Sequence, residues 1–373
     1  MQTSICTDLS SIPADDWNAL AGDQNPFVQH AFLVALEKHN CVGEHWSWLP
    51  QHILIHEDGK LVGAMPMYIK DNSYGEFVFD WAWADAYERN GLPYYPKLVN
   101  SIPYTPATGP RLLAQTTEIK KHLIDASIAQ AKKLNTSSMH WLFTDKDDTA
   151  LLSGQGYMLR EGVQFHWENQ DYGHFEDFLA TLTSKKRKKI KRERRLVCEA
   201  DVEIEYLNGH DATEEHWVVF HQFYTSTFES KYGYPTLTLD FFKALGQSMP
   251  DQVLLVMAKH EGKYVAGAFN LKGKDTLYGR HWGCNQYFHS LHFECCYYAA
   301  IDYCIRHGLK RFEAGAQGEH KLARGFLPVA TWSAHWLSHP QFSDAIRDFV
   351  EKEQVAMNDY IETLEEHSPY KTG

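Results

Sequence analysis

Long apolar runs, metal-binding spacings and covalent-catalysis motifs are missing from this sequence. No run approaches the 18 apolar residues that a membrane-spanning helix needs, and the first residues lack the basic region and apolar core of a signal peptide. The seven cysteines are an odd number, without Cys-x-x-Cys or Cys/His zinc spacing. No Ser or Cys nucleophile elbow occurs. We therefore expect a protein of the reducing cytoplasm, without stable membrane insertion, a bound metal or a covalent intermediate.

Positive charge is scarce except in one stretch. The chain carries a formal charge of −12, yet nine of the eleven residues from Lys185 to Arg195 are basic and one is acidic. That stretch holds +8, so the remainder holds −20. Such a run is often a solvated face or a non-specific RNA contact. Charge-assisted hydrogen bonds to phosphate are its other natural use, and nucleotide sugars, CoA and tRNA all qualify as ligands.

The two halves of the chain repeat one order of elements: helix, helix, hairpin, strand, helix, strand. Asp58-Gly-Lys-Leu-Val62 and Glu261-Gly-Lys-Tyr-Val265 are matching hairpin turns, each with Gly at the second turn position. After the first hairpin the sequence predicts a third strand from Phe77 to Trp83. A helix from Phe293 to His307 has apolar residues at helical spacing and corresponds to one from Thr117 to Leu134. The length also predicts two domains.

About 30 extra residues separate the third predicted strand of the first copy from its long helix. They form an aromatic, Pro-rich stretch between Trp81 and Arg111. Loops of this length inside a compact domain are often lids or binding loops. A further amphipathic helix is predicted from Phe342 to Leu364, at the end of the second copy.

This order of elements resembles the GNAT acyltransferase fold. Its duplication around a basic joint resembles the Fem family of peptidoglycan aminoacyltransferases, in particular the FemAB-like, predicted N-acyltransferase branch. The resemblance covers nearly the whole chain. The stretches that carry it are Phe293–Gly308, Phe312–Pro328 with Lys321 and Gly325-Phe326 in the places of a Lys-x-x-Gly-Phe-type segment, Arg187–Arg195, Thr105–Arg111 and Gln164–Trp167.

The resemblance implies an α/β (α+β) protein with two tandem GNAT-like domains. Each is expected to have a mixed, mostly antiparallel sheet flanked by helices. The expected limits are residues 1–172 for the first domain, 173–200 for a basic helical joint, and 201–373 for the second domain with its long C-terminal helix. There is no room between Arg195 and Val202 for the coiled-coil arm of some Fem enzymes, which counts against tRNA binding.

Three residues are candidates for catalysis. Lys321, in a turn rich in glycine, would stabilise the charge of a tetrahedral intermediate or hold a carboxylate or phosphate. His281 would deprotonate the attacking amine, because imidazole titrates near neutrality. Asp80 would orient the ammonium form of the acceptor. A solvated turn, a structural histidine and a loop acid are the respective alternatives.

A larger set is predicted to bind substrate. Thr108-Gly-Pro-Arg111 offers a turn with N–H groups and a guanidinium, although neither copy has the pyrophosphate-binding loop of GNAT enzymes. A plain turn is the alternative. The predicted substrate-binding residues are Tyr104, Thr108, Arg111, His166, Arg187, Lys191, Arg194, Arg280 and Arg324.

We expect an N-acyltransferase that moves an acyl or aminoacyl group from an activated donor to an amine, with a cell-wall precursor or related metabolite as the candidate acceptor. No tightly bound cofactor is expected, and acyl-CoA or aminoacyl-tRNA would be the co-substrate. Two alternatives stay open: a non-catalytic GNAT pair that binds a phosphate-bearing cell-wall precursor, and an RNA-binding protein. The sequence leaves the oligomeric state open.

Overall fold

The computed structural model describes residues 1–231, 233–316 and 318–371 of the 373-residue chain. Gln317, which belongs to the stretch Phe312–Pro328, and the last two residues of the expected second domain lie outside the described residues.

Strands and helices alternate along the chain. The strands are β1 (Gln2–Cys6), β2 (Leu49–Pro50), β3 (His52–Glu57), β4 (Lys60–Met65), β5 (Tyr68–Lys70), β6 (Lys97–Asn100), β7 (Leu113–Ala114), β8 (Ser138–Thr144), β9 (Met158–Glu168), β10 (Val202–Leu207), β11 (Val253–His260), β12 (Lys263–Lys272), β13 (Thr276–Cys284), β14 (Arg311–Glu313) and β15 (Leu327–Leu337). The α-helices are α1 (Ala14–Ala21), α2 (His30–Lys38), α3 (Trp81–Arg89), α4 (Thr117–Lys133), α5 (Lys146–Gly154), α6 (Phe175–Thr181), α7 (Ser184–Glu199), α8 (Glu214–Glu229), α9 (Leu239–Ser248), α10 (Leu291–Phe293), α11 (Ala299–Arg306) and α12 (Pro340–Glu366).

The two predicted hairpins are confirmed. Strands β3 and β4 pair around Asp58 and Gly59, and β11 and β12 pair around Glu261 and Gly262. All four turn residues have positive φ, between 49° and 79°. Two consecutive left-handed residues define a type I′ turn, whose twist matches that of the strands it joins. The shared turn geometry supports the repeat that the sequence predicted.

The first compact unit comprises residues 1–163 and 330–361. One sheet has the order β1-β3-β4-β7, and a second joins β2, β5, β6, β8 and β15. Within the second sheet, β6 and β8 are parallel and the other pairs are antiparallel. Helix α4 packs Leu123 and Ile124 into the apolar core of this unit. The expected first domain, residues 1–172, stays a prediction; this unit ends its first segment at residue 163 and adds a later one, in which residues 332–337 pair with β8.

The second compact unit comprises residues 164–329 and 362–373. Its sheet runs β10-β11-β12-β13-β14-β9, with one parallel pair between β13 and β14. The expected joint, residues 173–200, lies inside this unit. Helix α7 buries Ile190 and Val197 in the core, so it packs as an amphipathic helix of the unit.

The third strand predicted from Phe77 to Trp83 is wrong. Residues 71–80 have no regular secondary structure, and helix α3 begins at Trp81. The alternation of apolar residues suggested a strand, but Asp80 takes the N-cap position and the following alanines favour a helix. The irregular segment results because Glu76 and Asp80 turn inward to a buried lysine.

The long helix predicted from Phe293 to His307 is present with a local distortion. Helix α10 is followed by a π-helical turn, Glu294–Tyr298, and then by α11. Such π-turns often occur at functional sites. Along the described part of the chain, no helix is both long and apolar enough to cross a membrane.

Candidate functional site

Lys321 lies in a 3₁₀ helix, Glu319–Arg324, between β14 and β15. The preceding Gly315 and Gly318 have φ values of 82° and 119°, which other residues rarely adopt. This backbone turns the Lys321 side chain inward, where only 2% of the residue is exposed. Its Nζ donates a hydrogen bond of 2.7 Å to the carbonyl oxygen of Gly315.

Burial lowers the pKa of Lys321 to about 8, although the nearby Cys296 thiol opposes this shift. Near neutral pH most Lys321 side chains are still protonated, but they lose the proton more readily than an exposed lysine. Such a group can stabilise an oxyanion when charged or accept a proton when neutral. The position and the pKa of Lys321 fit its predicted catalytic role, which stays a prediction.

Arg324 is held at the other end of the same 3₁₀ helix. Its Nη2 lies 3.1 Å from a carboxylate oxygen of Glu193, and its Nη1 donates to the carbonyl oxygen of His320 at 2.8 Å. The guanidinium stacks 3.4 Å from the ring centroid of Phe293. These contacts fix the orientation of a cation that was predicted to bind substrate.

A cavity of about 440 Å³ adjoins this arginine. Helix α7 contributes one face, with residues spaced by three or four positions, and the rest comes from α10, its preceding loop and the 3₁₀ helix. The lining residues are Lys189, Arg192, Glu193, Leu196, His289, Phe293, His320 and Arg324. Three permanent cations and one carboxylate give the cavity a net positive charge, which suits an anionic ligand.

The basic residues predicted on α7 face elsewhere. Arg194 forms a two-pronged ion pair with Glu294, with its shortest contact at 2.9 Å. Lys191 pairs with the exposed Glu176 at 2.6 Å. Arg187 is half-buried and does not line the cavity. Their predicted contacts with substrate therefore remain predictions without support from the cavity.

Lys189 and Arg192 are the cations that the sequence interpretation missed. Both lie in the run that was singled out, and with Glu193 and Leu196 they follow the i, i+3, i+4, i+7 pattern of one helical face. The helical period alone could not have selected them, because Lys185 and Lys188 lie on the same face and the sequence does not say which part of that face meets the cavity.

Arg280 and His281 are neighbours on β13. Burial lowers the pKa of Arg280 to about 10, against the charge of Glu313. Burial, with the Arg280 charge, also holds the pKa of His281 well below its usual range. The His281 ring packs edge-on against Tyr224, with 5.0 Å between centroids. An imidazole with so low a pKa is a weak base at neutral pH, so these surroundings do not favour the predicted role of His281.

His166 is buried on β9, and strand pairing sets it opposite Glu313. Its Nε2 lies 3.3 Å from the Gln164 amide oxygen and 3.9 Å from a carboxylate oxygen of Glu313. Burial lowers the pKa of His166 to about 3, with further contributions from the charges of Arg311 and Lys321. The contact with Glu313 is too long to offset burial. His166 is therefore neutral at pH 7, and its predicted contact with substrate stays a prediction.

The first-unit residues predicted to bind substrate are engaged within their own fold. Arg111 is fully buried, and its guanidinium donates to the carbonyl oxygens of Leu142 at 2.8 Å and Ala107 at 2.7 Å. The Tyr104 hydroxyl donates to the Cys41 carbonyl oxygen at 2.9 Å. The Thr108 carbonyl oxygen accepts a bond from an asparagine side chain. These contacts explain the local fold and leave the predicted binding roles unsupported.

Asp80 belongs to a buried ion cluster of the first unit. Lys97 Nζ lies 2.5 Å from Asp80 Oδ2 and 2.8 Å from Glu76 Oε2. The Tyr94 hydroxyl also donates to Asp80, at 2.6 Å. Burial alone would raise the pKa of Asp80, but the charge and hydrogen bond of Lys97 hold it well below its usual range. Because Asp80 is already bound by Lys97 and Tyr94, its surroundings do not favour the predicted role of orienting the ammonium form of the acceptor.

The fold, with its repeated hairpins, is that of a tandem GNAT-like protein, and its second unit holds both the cationic cavity and the buried Lys321. The chain belongs to the FemAB-like family, described as peptidoglycan biosynthesis/recognition, whose model matches residues 8–372. This confirms the resemblance that the sequence indicated.

Solved structures show the same fold at low sequence identity. FemX is 11% identical, with 93% of this chain and all of the FemX chain covered and a TM-score of 0.59. L-PGS from Bacillus licheniformis is also 11% identical, with coverage of 91% and 97% and a TM-score of 0.56. The C-terminal domain of a putative lysylphosphatidylglycerol synthetase from Agrobacterium fabrum is 8% identical, with coverage of 90% and 95% and a TM-score of 0.54. None of the curated protein sequences matches this chain.

Proposed function

We propose that this protein transfers an acyl or aminoacyl group from a phosphate-bearing donor to the amine of a cell-wall precursor or related metabolite. Acyl-CoA and aminoacyl-tRNA are two donors that carry both an activated carbonyl and phosphates. The observation that carries the proposal is the 3₁₀ helix Glu319–Arg324 of the second unit, which holds both the buried Lys321 and Arg324, a residue that lines the cationic cavity.

The cavity supplies what a phosphate-bearing donor needs. Lys189 and Arg192 reach it from α7, while Arg324 is pre-oriented by Glu193 and Phe293. Fixed donors lose little side-chain entropy when an anion binds, and each bond to phosphate is charge-assisted. The FemAB-like family description, peptidoglycan biosynthesis/recognition, favours a cell-wall acceptor.

The reaction requires no covalent enzyme intermediate. The neutral amine of the acceptor attacks the carbonyl carbon of the donor and forms a C–N bond. The bond from carbon to the thiol sulfur or ribose oxygen of the donor breaks, and the amine proton passes to the leaving group or to solvent. Lys321 in its ammonium form would stabilise the negative charge that develops on the carbonyl oxygen. Positioning of the two substrates supplies the remainder.

Binding by defined donors tests the proposal. The double variant Lys189→Ala/Arg192→Ala removes two cavity cations, and we expect affinity for the productive donor to fall by about tenfold to a hundredfold. The measurement is calorimetric titration with two donors, acetyl-CoA and an aminoacylated RNA hairpin, and with UDP-N-acetylglucosamine, a phosphate-bearing compound that has no activated acyl group. The donor that binds should then support acyl transfer to an amine acceptor.

A matched control lies on the same helix. Lys191→Ala/Arg195→Ala removes the same charge from surface pairs with Glu176 and Glu199, and we expect unchanged affinity. Equal losses of affinity in both double variants would show that the donor responds to the overall charge of the helix and not to the cavity. Binding without turnover of any donor would favour a non-catalytic binding protein, and a steep salt dependence with every RNA tested would favour an RNA-binding protein.

A further inference from the structure

Three neighbouring strands of the second unit bring polar side chains together at one end of its sheet. The parallel strands β13 and β14 pair over Thr276–Tyr278 and Arg311–Glu313, while β13 continues to Cys284. On the other side of β14, strand pairing sets Glu313 directly opposite His166 of β9. The parallel pairing therefore ends beside His166 and Glu313, and ligands often bind at the carboxyl ends of parallel strands.

Two cations approach the same end of the sheet. Gly315, two residues beyond Glu313, accepts the hydrogen bond of 2.7 Å from Lys321 Nζ. Arg280 is the extra residue of a β-bulge between β12 and β13, and bulges often redirect a side chain next to an active site. The charge of Glu313 acts on Arg280, and that of Lys321 acts on His166. His166 therefore lies near the lysine that is predicted to stabilise the oxyanion.

The His166 ring has one engaged nitrogen and one unused nitrogen. Its Nε2 lies 3.3 Å from the amide oxygen of Gln164 and 3.9 Å from a carboxylate oxygen of Glu313. Both oxygens are acceptors, so Nε2 carries the proton of the neutral ring and Nδ1 keeps its lone pair. Nδ1 is buried and has no hydrogen-bond partner among the residues that the structure describes. A buried acceptor of this kind costs free energy unless a ligand or a water donates to it.

The charges around this imidazole favour a donor without charge. Arg280, Arg311 and Lys321 supply three cations, and Glu168 and Glu313 supply two carboxylates. Arg311 is paired with Glu168 at 2.7 Å, which leaves two cations against Glu313. An ammonium group would meet a net positive charge here, whereas a neutral amine would not. With a pKa of about 3 the imidazole is also too weak a base to remove a proton from an ammonium group.

We propose that His166 binds the attacking amine of the acceptor in its neutral form. Nδ1 accepts a hydrogen bond from one N–H, which directs the nitrogen lone pair at the carbonyl carbon of the donor. The C–N bond forms, the bond from carbon to the leaving sulfur or oxygen breaks, and the amine proton passes to the leaving group or to solvent. This inference rests on the proposed acyl transfer and adds the residue that holds the acceptor nitrogen.

Nitrogen NMR tests this contact without any turnover. The full-length protein is labelled with ¹⁵N-histidine, and the Nδ1 resonance of His166 is assigned with His166→Asn. The probe is glycinamide at about pH 8, near the pKa of its α-amino group, so that much of the amine is neutral. Its N,N,N-trimethyl counterpart has no N–H on that nitrogen. We expect glycinamide to shift the Nδ1 resonance in the direction of a hydrogen-bonded nitrogen and the trimethyl compound to leave it in place.

Equal shifts with the two probes would overturn the proposal, because the trimethyl compound has no N–H to donate from that nitrogen. An Nδ1 resonance that is already hydrogen-bonded in the free protein and does not respond to glycinamide would show a buried water only. That result would also overturn the proposal.

Kinetics with the donor identified by titration separates a contact with the amine from a structural role. His166→Phe removes the acceptor nitrogen, and we expect the KM for the amine to rise by about tenfold while the affinity for the donor stays unchanged. His166→Asn places an amide oxygen near the position of Nδ1 and should recover part of this loss. His260→Phe, at the turn between β11 and β12 of the same unit, is the matched control and should leave both quantities unchanged.

The outcomes distinguish this inference from the proposed function. Acyl transfer with an unchanged amine KM in His166→Phe would overturn the role of His166 and leave the transfer intact. A glycinamide shift of Nδ1 without transfer from either donor would support the amine contact and overturn the proposed function. Urea unfolding checks the stability of each variant. Should His166→Phe fail to fold, the NMR titration of the wild type decides.

Discussion

Two buried lysines, one in each unit, meet opposite electrostatic environments. Lys97 of the first unit is fully buried between Glu76 and Asp80. Burial alone would lower its pKa, but the two carboxylates outweigh burial and raise it. Lys321 of the second unit is 2% exposed and donates to a backbone carbonyl, and burial lowers its pKa to about 8.

The difference separates a structural charge from a chemically available one. The ammonium of Lys97 is bound by two carboxylates and a hydroxyl, so it organises the loop and helix that supply them. The ammonium of Lys321 has a weaker partner, and its proton is held less firmly. Perturbed pKa values of this second kind concentrate at functional sites. Substitutions at the two positions should therefore separate stability from activity.

The largest expected effect follows from Lys97→Met. The substitution leaves Glu76 and Asp80 buried without their cation, and breaking a buried pair in this way costs about 3–5 kcal/mol. Urea unfolding of the wild type and variant at pH 7 measures the loss. The triple variant Lys97→Met/Glu76→Gln/Asp80→Asn should recover part of it, because no uncompensated charge remains. A loss below about 1 kcal/mol in the single variant would contradict the structural role.

Lys321→Met should show the reverse pattern. Removing one group that stabilises an oxyanion slows the chemical step by about 10²–10³-fold, whereas stability should change little because a desolvated ammonium is removed with its hydrogen bond. Single-turnover acyl transfer with the donor identified by titration measures the rate, and urea unfolding measures stability. An unchanged rate would show that Lys321 takes no part in the chemical step. A large loss of stability would show that Lys321, like Lys97, has a structural role.

The first unit should also lose stability in mild acid through His140. Burial, with the charge of Lys97, lowers the pKa of His140 to about 3, and its Nδ1 lies 2.7 Å from that of His335. The unfolded chain binds a proton at about pH 6.5 and the folded chain does not, so stability falls as pH decreases below 6.5. Between pH 6 and 4, His140→Gln should reduce the slope of the unfolding free energy against pH by the equivalent of about one bound proton. An unchanged slope would mean that other groups dominate.

Local sequence patterns predicted much of the fold. The two Gly-containing turns predicted both hairpins, and helical spacing predicted α4, α12 and the helix around Tyr297. The strand predicted near Phe79 was wrong because the apolar alternation of this segment fits a strand. The observed conformation depends instead on ion pairs of Glu76 and Asp80 with Lys97, which lies 21 and 17 positions away in the sequence. A single-sequence pattern carries no information about such distant partners.

The site was predictable in its location and less so in its members. The Gly-rich segment identified Lys321 and Arg324, and the basic run identified the helix that lines the cavity. Within that helix the choice of Arg194 overlooked its pairing with Glu294, which lies 100 residues away. Lys189 and Arg192 share a helical face with Lys185 and Lys188, so helical phase alone could not have selected them.

The smallest effect is expected at Lys70, which combines features of the other two lysines. Burial lowers its pKa to about 7, despite the charge of Glu76, and its Nζ bonds to the Tyr74 carbonyl oxygen. Lys70→Met loses this bond and the contact with Trp48, but it also removes a poorly solvated charge, so the free energy of unfolding should change by about 1 kcal/mol or less at pH 7. Urea unfolding beside Lys97→Met makes the comparison. A loss as large as that of Lys97→Met would show that burial of an ammonium, rather than its pairing with carboxylates, decides which lysine is structural.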